Sequence, residues 1–375
     1  MIKNFFSFFL LISKCRFKFK KPKKVEILLY DQGLFFNQEF IQSFKENNIE
    51  IIYSRLEEIN LYVLFISFLK FNSLSKRKLF LNYLITYCNI VKPSWIVTSN
   101  HYDLKFYDLK KNINLDVKFA IIQGVPIFEF HIKNFFSSSL TDNKKLHIDY
   151  FFCFDEFTIK ILKNYIDTNF VIIGSFRNNC YPIKNTETNE DILVISGLKE
   201  KPIDMSNRKK YQTDIDQENK LLQLLILISE KQNLNFKILL KPLTKISEYS
   251  KFMGISENYC IFNNGFNNYH TVDKFHLLIF PNDSTLRFEA VSRDKNFCFT
   301  QPNYQLDREK MNSSCVLKTD LNYDNLMNLI NTTMNQDNKT FKLKNINLNK
   351  PILFDENNNI LKSFIKIKKN SLYDY

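Results

Sequence analysis

The chain has 375 residues, 45% of them hydrophobic and 15% aromatic, with a formal net charge of +13. That apolar share excludes a wholly disordered or fibrous chain, and the length suits two domains of roughly 150 residues each. No apolar run reaches the ~20 residues that span a bilayer, which argues against a membrane-spanning helix. Glycine is the unusual residue: there are six, where average usage would give about 26. The sequence contains neither G-x-G-x-x-G nor G-x-x-x-x-G-K-[ST], so a standard dinucleotide fingerprint and a P-loop are both absent. It has no G-x-S-x-G nucleophile elbow either. Seven scattered cysteines with no C-x-x-C pair argue against a disulfide framework or zinc site. They read as small buried hydrophobes in a reducing compartment.

In chain order, residues 1–24 come first, with eight cations, no acid and an aromatic-rich start. Taking those eight from +13 leaves only +5 for the remaining 351 residues. No A-x-A-like site follows the apolar stretch, and Lys14 before Cys15 spoils a lipoprotein site. Aromatics followed by a polybasic run predict docking on an anionic membrane surface. Strand-length apolar runs then alternate with helical patterns. Val25–Tyr30 is a predicted strand, 37–47 a helix, Ile49–Tyr53 a strand, and 61–87 helical with a break near Asn72. Trp95–Thr98, Val117–Ile122, Tyr150–Phe154 and Phe170–Ile173 are further strands, with a helix reaching about Tyr165. A polar stretch at 178–190 containing Pro182 reads as a linker. Beyond it come strands at Asp191–Ser196, Phe236–Leu240, Tyr259–Phe262, Leu277–Phe280 and Asn296–Thr300. Helices are expected over 216–231 and 321–335.

Strands alternating with helices predict parallel sheets built from βαβ units. The expected layout is a docking segment at 1–24, one α/β domain at 25–180, another at 190–345, and a tail at 346–375. Four glycines (Gly33, Gly124, Gly174 and Gly197) directly follow apolar strands. Parallel sheets bind ligands outside those carboxyl ends, although tight βα turns favour glycine as well.

The stretch 279–299 carries the most chemistry. A strand meets the polar turn Asp283-Ser284-Thr285, and Ser284 or Thr285 can cap a helix whose free N–H groups suit phosphate. Glu289 falls one turn further in, where a carboxylate can accept from two ribose hydroxyls. The run D-S-T-L-x-x-E-A at 283–290 resembles the donor-nucleotide motif of GT-B glycosyltransferases. It is most similar to bacterial surface-carbohydrate (capsule or lipopolysaccharide) biosynthesis proteins, which in turn resemble CDP-glycerol glycerophosphotransferases. Ala120–Gly124, Asp149–Phe154, Val171–Asn179, Leu193–Gly197 and Leu239–Pro242 fit in the same order. The resemblance implies two Rossmann-like domains with parallel sheets facing a central cleft. It places a nucleotide-sugar donor on the C-terminal domain and a glycan or lipid-linked acceptor on the N-terminal one. It implies neither a metal nor a resident cofactor.

Carried over by position, Asp283, Ser284 and Thr285 would meet the donor phosphates and Glu289 the ribose. Lys241 would neutralise the diphosphate as charge moves to the leaving group, and Gly174 and Ser175 would line the cleft. Relatives have glycine where this chain has Arg287, read here as facing water, and where it has Asp294, which tolerates a left-handed turn. Glycerophosphotransferases place a histidine where Gln123 stands. Glutamine cannot act as a general base, so the resemblance favours sugar transfer.

The base remains open among Asp31, His101, Asp103, Glu129 and His131. His101 and Asp103, just after the Trp95–Thr98 strand, and Gln123 are the catalytic candidates. Asp214-Ile215-Asp216 could hold a metal, but the start of a predicted helix explains its charges better. His270 and His276, six apart, read as capping or packing residues. An epimerase-like, glycerophosphotransferase-like or inactive relative is the alternative within the fold. A basic nucleic-acid-binding protein is the alternative of another class, and a body at only +5 gives no reason to expect nucleic acid.

Overall fold

The computed structural model describes residues 15–30, 48–53, 57–69, 76–125, 127, 129–137, 145–179, 181, 190–198, 205–241, 244–262, 268–281, 284, 286–300, 315–317, 319–337 and 340–341. These residues form two compact units, one running to Asn179 and one starting at Tyr181. The expected linker at 178–190 falls mostly outside the described residues, as do the predicted helix at 37–47 and the tail at 346–375.

In the N-terminal unit, β1 (Arg16–Lys18) pairs in parallel with β4 (Glu58–Asn60) to make a small separate ribbon. The main sheet has six parallel strands: β2 (Ile27–Tyr30), β3 (Ile49–Ile52), β5 (Trp95–Thr98), β6 (Lys118–Ile122), β7 (Leu146–Cys153) and β8 (Ile166–Ile172). Their spatial order is β3-β2-β5-β6-β7-β8. Parallel strands need crossovers, and the described ones include α1 (Leu61–Leu69), α2 (Lys76–Val91), α3 (Leu104–Asn112), α4 (Glu129–Ser137) and α5 (Glu156–Leu162). The short α6 (Phe176–Asn179) closes the unit.

Strand residues alternate between two buried faces. Leu28, Tyr30, Ile96, Phe119, Ile121 and Phe151 pack in one core cluster, whereas Ile27, Leu29, Trp95, Val97, Ala120 and Phe152 pack in another. Burial on both faces is why these strands appear in the sequence as unbroken apolar runs.

The C-terminal unit has five parallel strands: β9 (Glu190–Ile195), β10 (Phe236–Leu239), β11 (Cys260–Ile261), β12 (Phe275–Phe280) and β13 (Asn296–Phe299). Their order is β11-β10-β9-β12-β13, so the first strand in the chain lies at the centre. Helices α7 (Met205–Gln232), α8 (Ile246–Met253), α9 (Asn268–Asp273), α10 (Leu286–Ser292) and α11 (Tyr323–Met334) alternate with them. One helix stripe, Leu221, Leu222, Leu225 and Ile228, packs on Ile192, Val194, Ile238, Leu277 and Ile279. Each domain is thus a parallel α/β sheet, as the alternation of elements predicts.

Helix α7 starts at Met205, not near Asp216. Asp214 and Asp216 therefore sit inside the helix, and its N-terminal field does not account for their charges. Asp216 instead accepts a hydrogen bond from Gln212 Nε2 at 2.6 Å. The extra turns are polar but rich in Arg, Lys and Gln, which favour helix without marking an apolar face. Part of the basic N-terminal segment is also structured. Lys18 pairs with Glu58 at 2.8 Å, and Asn60 Nδ2 donates to the Lys20 carbonyl at 2.8 Å. Among the described cysteines, Cys88, Cys153, Cys298 and Cys315 are buried. Burial pushes the Cys88 and Cys153 thiols up to about 12, far from thiolate reactivity. Among the described residues, no helix is long and apolar enough to cross a membrane.

Candidate functional site

In the C-terminal sheet the chain starts at β9, builds outward through β10 and β11, then returns to β12 on the other side. The crevice between β9 and β12 is therefore the topological switch point, where open parallel sheets bind ligands at their carboxyl ends. Register fixes what emerges there. Leu239 pairs with Ile195, and Ile279 with Val194. Two residues on, Lys241 and Gly197 leave the sheet at one level, with Ser196 level with Pro281. Lys241, Gly197 and Ser284 are half-buried at this edge, and Glu289 on α10 is buried.

Ser284 Oγ accepts from the Leu286 N–H at 3.4 Å, and its carbonyl accepts from the Arg287 N–H at 3.3 Å. Asp283 and Thr285 lie outside the described residues. Arg287 does not face water. It is buried, with its guanidinium 5.6 Å from the Phe299 ring centre and Nη1 donating to the Ser284 carbonyl at 3.4 Å. The neighbouring strand supplies the aromatic face that makes this burial favourable. Asp294 adopts φ of 56°, the left-handed turn expected where relatives have glycine.

A group that sequence reasoning missed lies beneath this edge. Glu218 on α7 is fully buried, and its Oε1 accepts from Ser196 Oγ and from the Tyr249 hydroxyl, both at 2.6 Å. Its Oε2 accepts from the Gly197 N–H at 2.9 Å. Burial pushes the carboxyl above its ordinary range, while the three hydrogen bonds and the Lys241 charge pull it back. The signal was one of position. Glu218 precedes Leu221, Leu222 and Leu225 by three, four and seven residues, so it is an acid on the apolar stripe.

The N-terminal sheet has its own switch point between β2 and β5. There the Tyr30 hydroxyl donates to Asp103 Oδ2 at 3.2 Å, while Asp103 Oδ1 caps α3 through the Lys105 N–H at 3.0 Å. His101 is turned into the core. Its ring lies 4.0 Å from that of Tyr102 and 6.3 Å from Phe151, centre to centre. Neither ring nitrogen has a hydrogen-bond partner among the described residues, and burial pushes its pKa down to about 3. Gln123, at the end of β6, is a backbone clip: Nε2 donates to the Val125 carbonyl at 2.9 Å and Oε1 accepts from the Phe154 N–H at 2.7 Å.

Gly174, in this same unit, has φ of 67°, a conformation that costs glycine little. Ser175 Oγ caps α6 by accepting from the Asn178 N–H at 3.2 Å. Asp31 and the side chains of Glu129 and His131 lie outside the described residues. His270 packs edge-on against Tyr181, and His276 is exposed. Among the described residues no three His, Cys, Asp or Glu side chains gather as a metal site.

Residues 128–369, more than half of the chain, match a family model described as "putative O-antigen biosynthesis protein". The chain belongs to this family. No curated protein sequence matches it. Among solved structures, the wall teichoic acid polymerase TagF soaked with CDPG is similar over 92% of this chain and 89% of its own, with 11% identity and a TM-score of 0.52. A second structure of the same substituted TagF variant gives a TM-score of 0.55 at 8% identity, covering 93% of this chain and 89% of that one. UDP-GlcNAc 2-epimerase from Methanocaldococcus jannaschii aligns over 91% of this chain and 99% of its own at 12% identity and a TM-score of 0.49. At such identities the TagF likeness is one of fold alone, a GT-B-like pair of parallel α/β domains.

Proposed function

We propose that this O-antigen-family protein transfers a sugar from a nucleotide-activated donor to a surface glycan or lipid-linked acceptor. The supporting observation is the β9/β12 switch point, where Lys241, Gly197 and Ser284 emerge at one sheet edge and Glu289 stands on the helix behind. In this reading, Lys241 offsets the charge of the diphosphate as it leaves, and Ser284, flanked by Asp283 and Thr285, meets its oxygens. Glu289 accepts from the ribose hydroxyls. The bond from the anomeric carbon to the phosphate oxygen breaks, and a bond from that carbon to an acceptor oxygen forms.

The acceptor proton then needs a base. Asp103 suits this task better than His101. It is half-buried at the N-terminal switch point and held by Tyr30, whereas burial leaves His101 weakly basic among aromatic rings. Gln123 has both ends of its amide engaged by backbone and serves to shape the strand-end loop beside them.

The reading extends to an anionic membrane at the cytoplasmic face, where a lipid-linked acceptor would lie. Phe17 and Phe19 are 40% and 72% exposed beside Arg16, Lys18 and Lys20, and Phe65 and Leu69 are 62% and 69% exposed on α1. Exposed aromatics among cations suit an acidic lipid surface.

A thermal-shift panel with UDP, CDP and GDP tests the donor site. One of these should raise the melting temperature of the wild type, and Glu289→Ala should abolish that rise while remaining folded. No shift with any of the three would remove the basis of the proposal.

A further inference from the structure

A fully buried carboxylate is costly unless donors surround it. Glu218 meets this condition in a particular way: two of its three donors are consecutive pieces of the turn that follows the central strand. Ser196 gives its hydroxyl and Gly197 its N–H, while the Ser196 oxygen accepts from the Leu198 N–H at 3.3 Å. Glu218 thus holds two successive residues at the β9/β12 crevice directly and the third through the Ser196 hydroxyl. Tyr249 on α8 donates to the same Oε1 oxygen as Ser196, at 2.6 Å.

In the usual dinucleotide fold a glycine-rich turn performs this shaping with backbone alone. Here the turn holds one glycine, and its N–H points at Glu218. The turn therefore offers that donor to the protein rather than to a ligand. Recognition of an anion at this edge falls to side chains that follow it, Lys241 above all. The pinned turn is tied to the strand that leads to Lys241, for the Ser196 N–H donates to the Leu239 carbonyl at 3.0 Å.

We propose that Glu218 is a positioning residue of the donor site, pinning the turn Ser196–Leu198 and with it the strand end from which Lys241 meets a nucleoside diphosphate. This inference rests on the donor-site reading above. It assigns a role to a helix residue that meets no substrate, and it commits that role to the diphosphate end of the donor.

The test is a double-mutant cycle with Glu218→Gln and Lys241→Met, read by titration calorimetry with UDP, CDP and GDP and by melting temperature. Glu218→Gln should remain folded and weaken the nucleotide that binds the wild type by about tenfold, the loss expected for a hydrogen-bonded charge. Because Glu218 acts through Lys241, the double variant should bind no worse than about twofold below Lys241→Met alone. Wild-type affinity in Glu218→Gln, or losses that multiply in the double variant, would overturn the role. Should Glu218→Gln fail to fold, Ser196→Ala and Tyr249→Phe each remove one donor and keep the charge. Both must then weaken the nucleotide by roughly threefold or more, and unchanged affinity in both overturns the inference. If the wild type binds none of the three nucleotides, the donor-site reading falls first and takes this role with it.

Discussion

Replacing His101 with Leu should flatten part of the acid sensitivity of the N-terminal unit. The ring is 1% exposed, has no hydrogen-bond partner for either nitrogen among the described residues, and has a pKa pushed down to about 3. An unfolded histidine titrates near 6.5. The depressed native value means the unfolded chain binds the proton first as pH falls. Stability from this group is therefore intact above about pH 6.5 and is lost progressively between there and about pH 3. From pH 8 to pH 5 the loss amounts to about 2 kcal/mol. Trp95, the sole tryptophan, is buried on β5 just upstream and reports the unfolding of this unit. Urea titrations followed by its fluorescence at pH 8, 7, 6 and 5 should show wild type and His101→Leu diverging by that amount. The variant should equal or exceed the wild type at pH 8, since it removes buried polar atoms that lack partners. Parallel pH profiles would refute the burial argument and restore His101 as a contender for the base.

Two further outcomes follow from the geometry. Arg293 and Asp273 form a buried pair, with Nε to Oδ1 at 2.8 Å, and Nη1 also donates to the Tyr181 carbonyl at 2.7 Å. Arg293→Met should cost about 3–5 kcal/mol by stranding the carboxylate, seen in calorimetry as a fall on the order of 10 °C in the C-terminal transition. Combining Phe19→Ser with Phe65→Ser should weaken flotation with phosphatidylglycerol vesicles by at least about tenfold, since each buried Phe contributes roughly 1.5–3 kcal/mol. Equal flotation of the double variant, or equal flotation with neutral lipid, would remove the membrane reading.

The strands were legible because a parallel sheet covered on both faces writes its strands as apolar runs. Trp95–Thr98 matches to the residue, and β2 and β10 differ from expectation only at their ends. Helix α3 escaped notice because it is short, with Phe106 and Leu109 set among lysines and its start marked only by the Asp103 cap. The pairing of β1 with β4 joins segments some forty residues apart, which local patterns do not encode.

At the candidate site, Asp294 was readable from its tolerance of a left-handed turn, whereas Arg287 was not. Its burial depends on the Phe299 ring, supplied by the next strand. Glu218 was hidden for a similar reason. An acid on an apolar stripe marks a buried polar site, but its partners Ser196 and Tyr249 lie 22 and 31 residues away. The scarcity of glycine left the sequence without the familiar phosphate loops. It also pointed to the feature that matters here, a turn held by a side chain rather than by glycine.

The central claim, a nucleotide donor bound at the β9/β12 switch point, is tested most directly by hydrogen exchange with and without UDP, CDP or GDP. One nucleotide should slow exchange in peptides covering 195–198, 239–241 and 284–292, leaving the N-terminal sheet unchanged. Protection confined to the N-terminal unit, or to peptides away from that edge, would contradict the account.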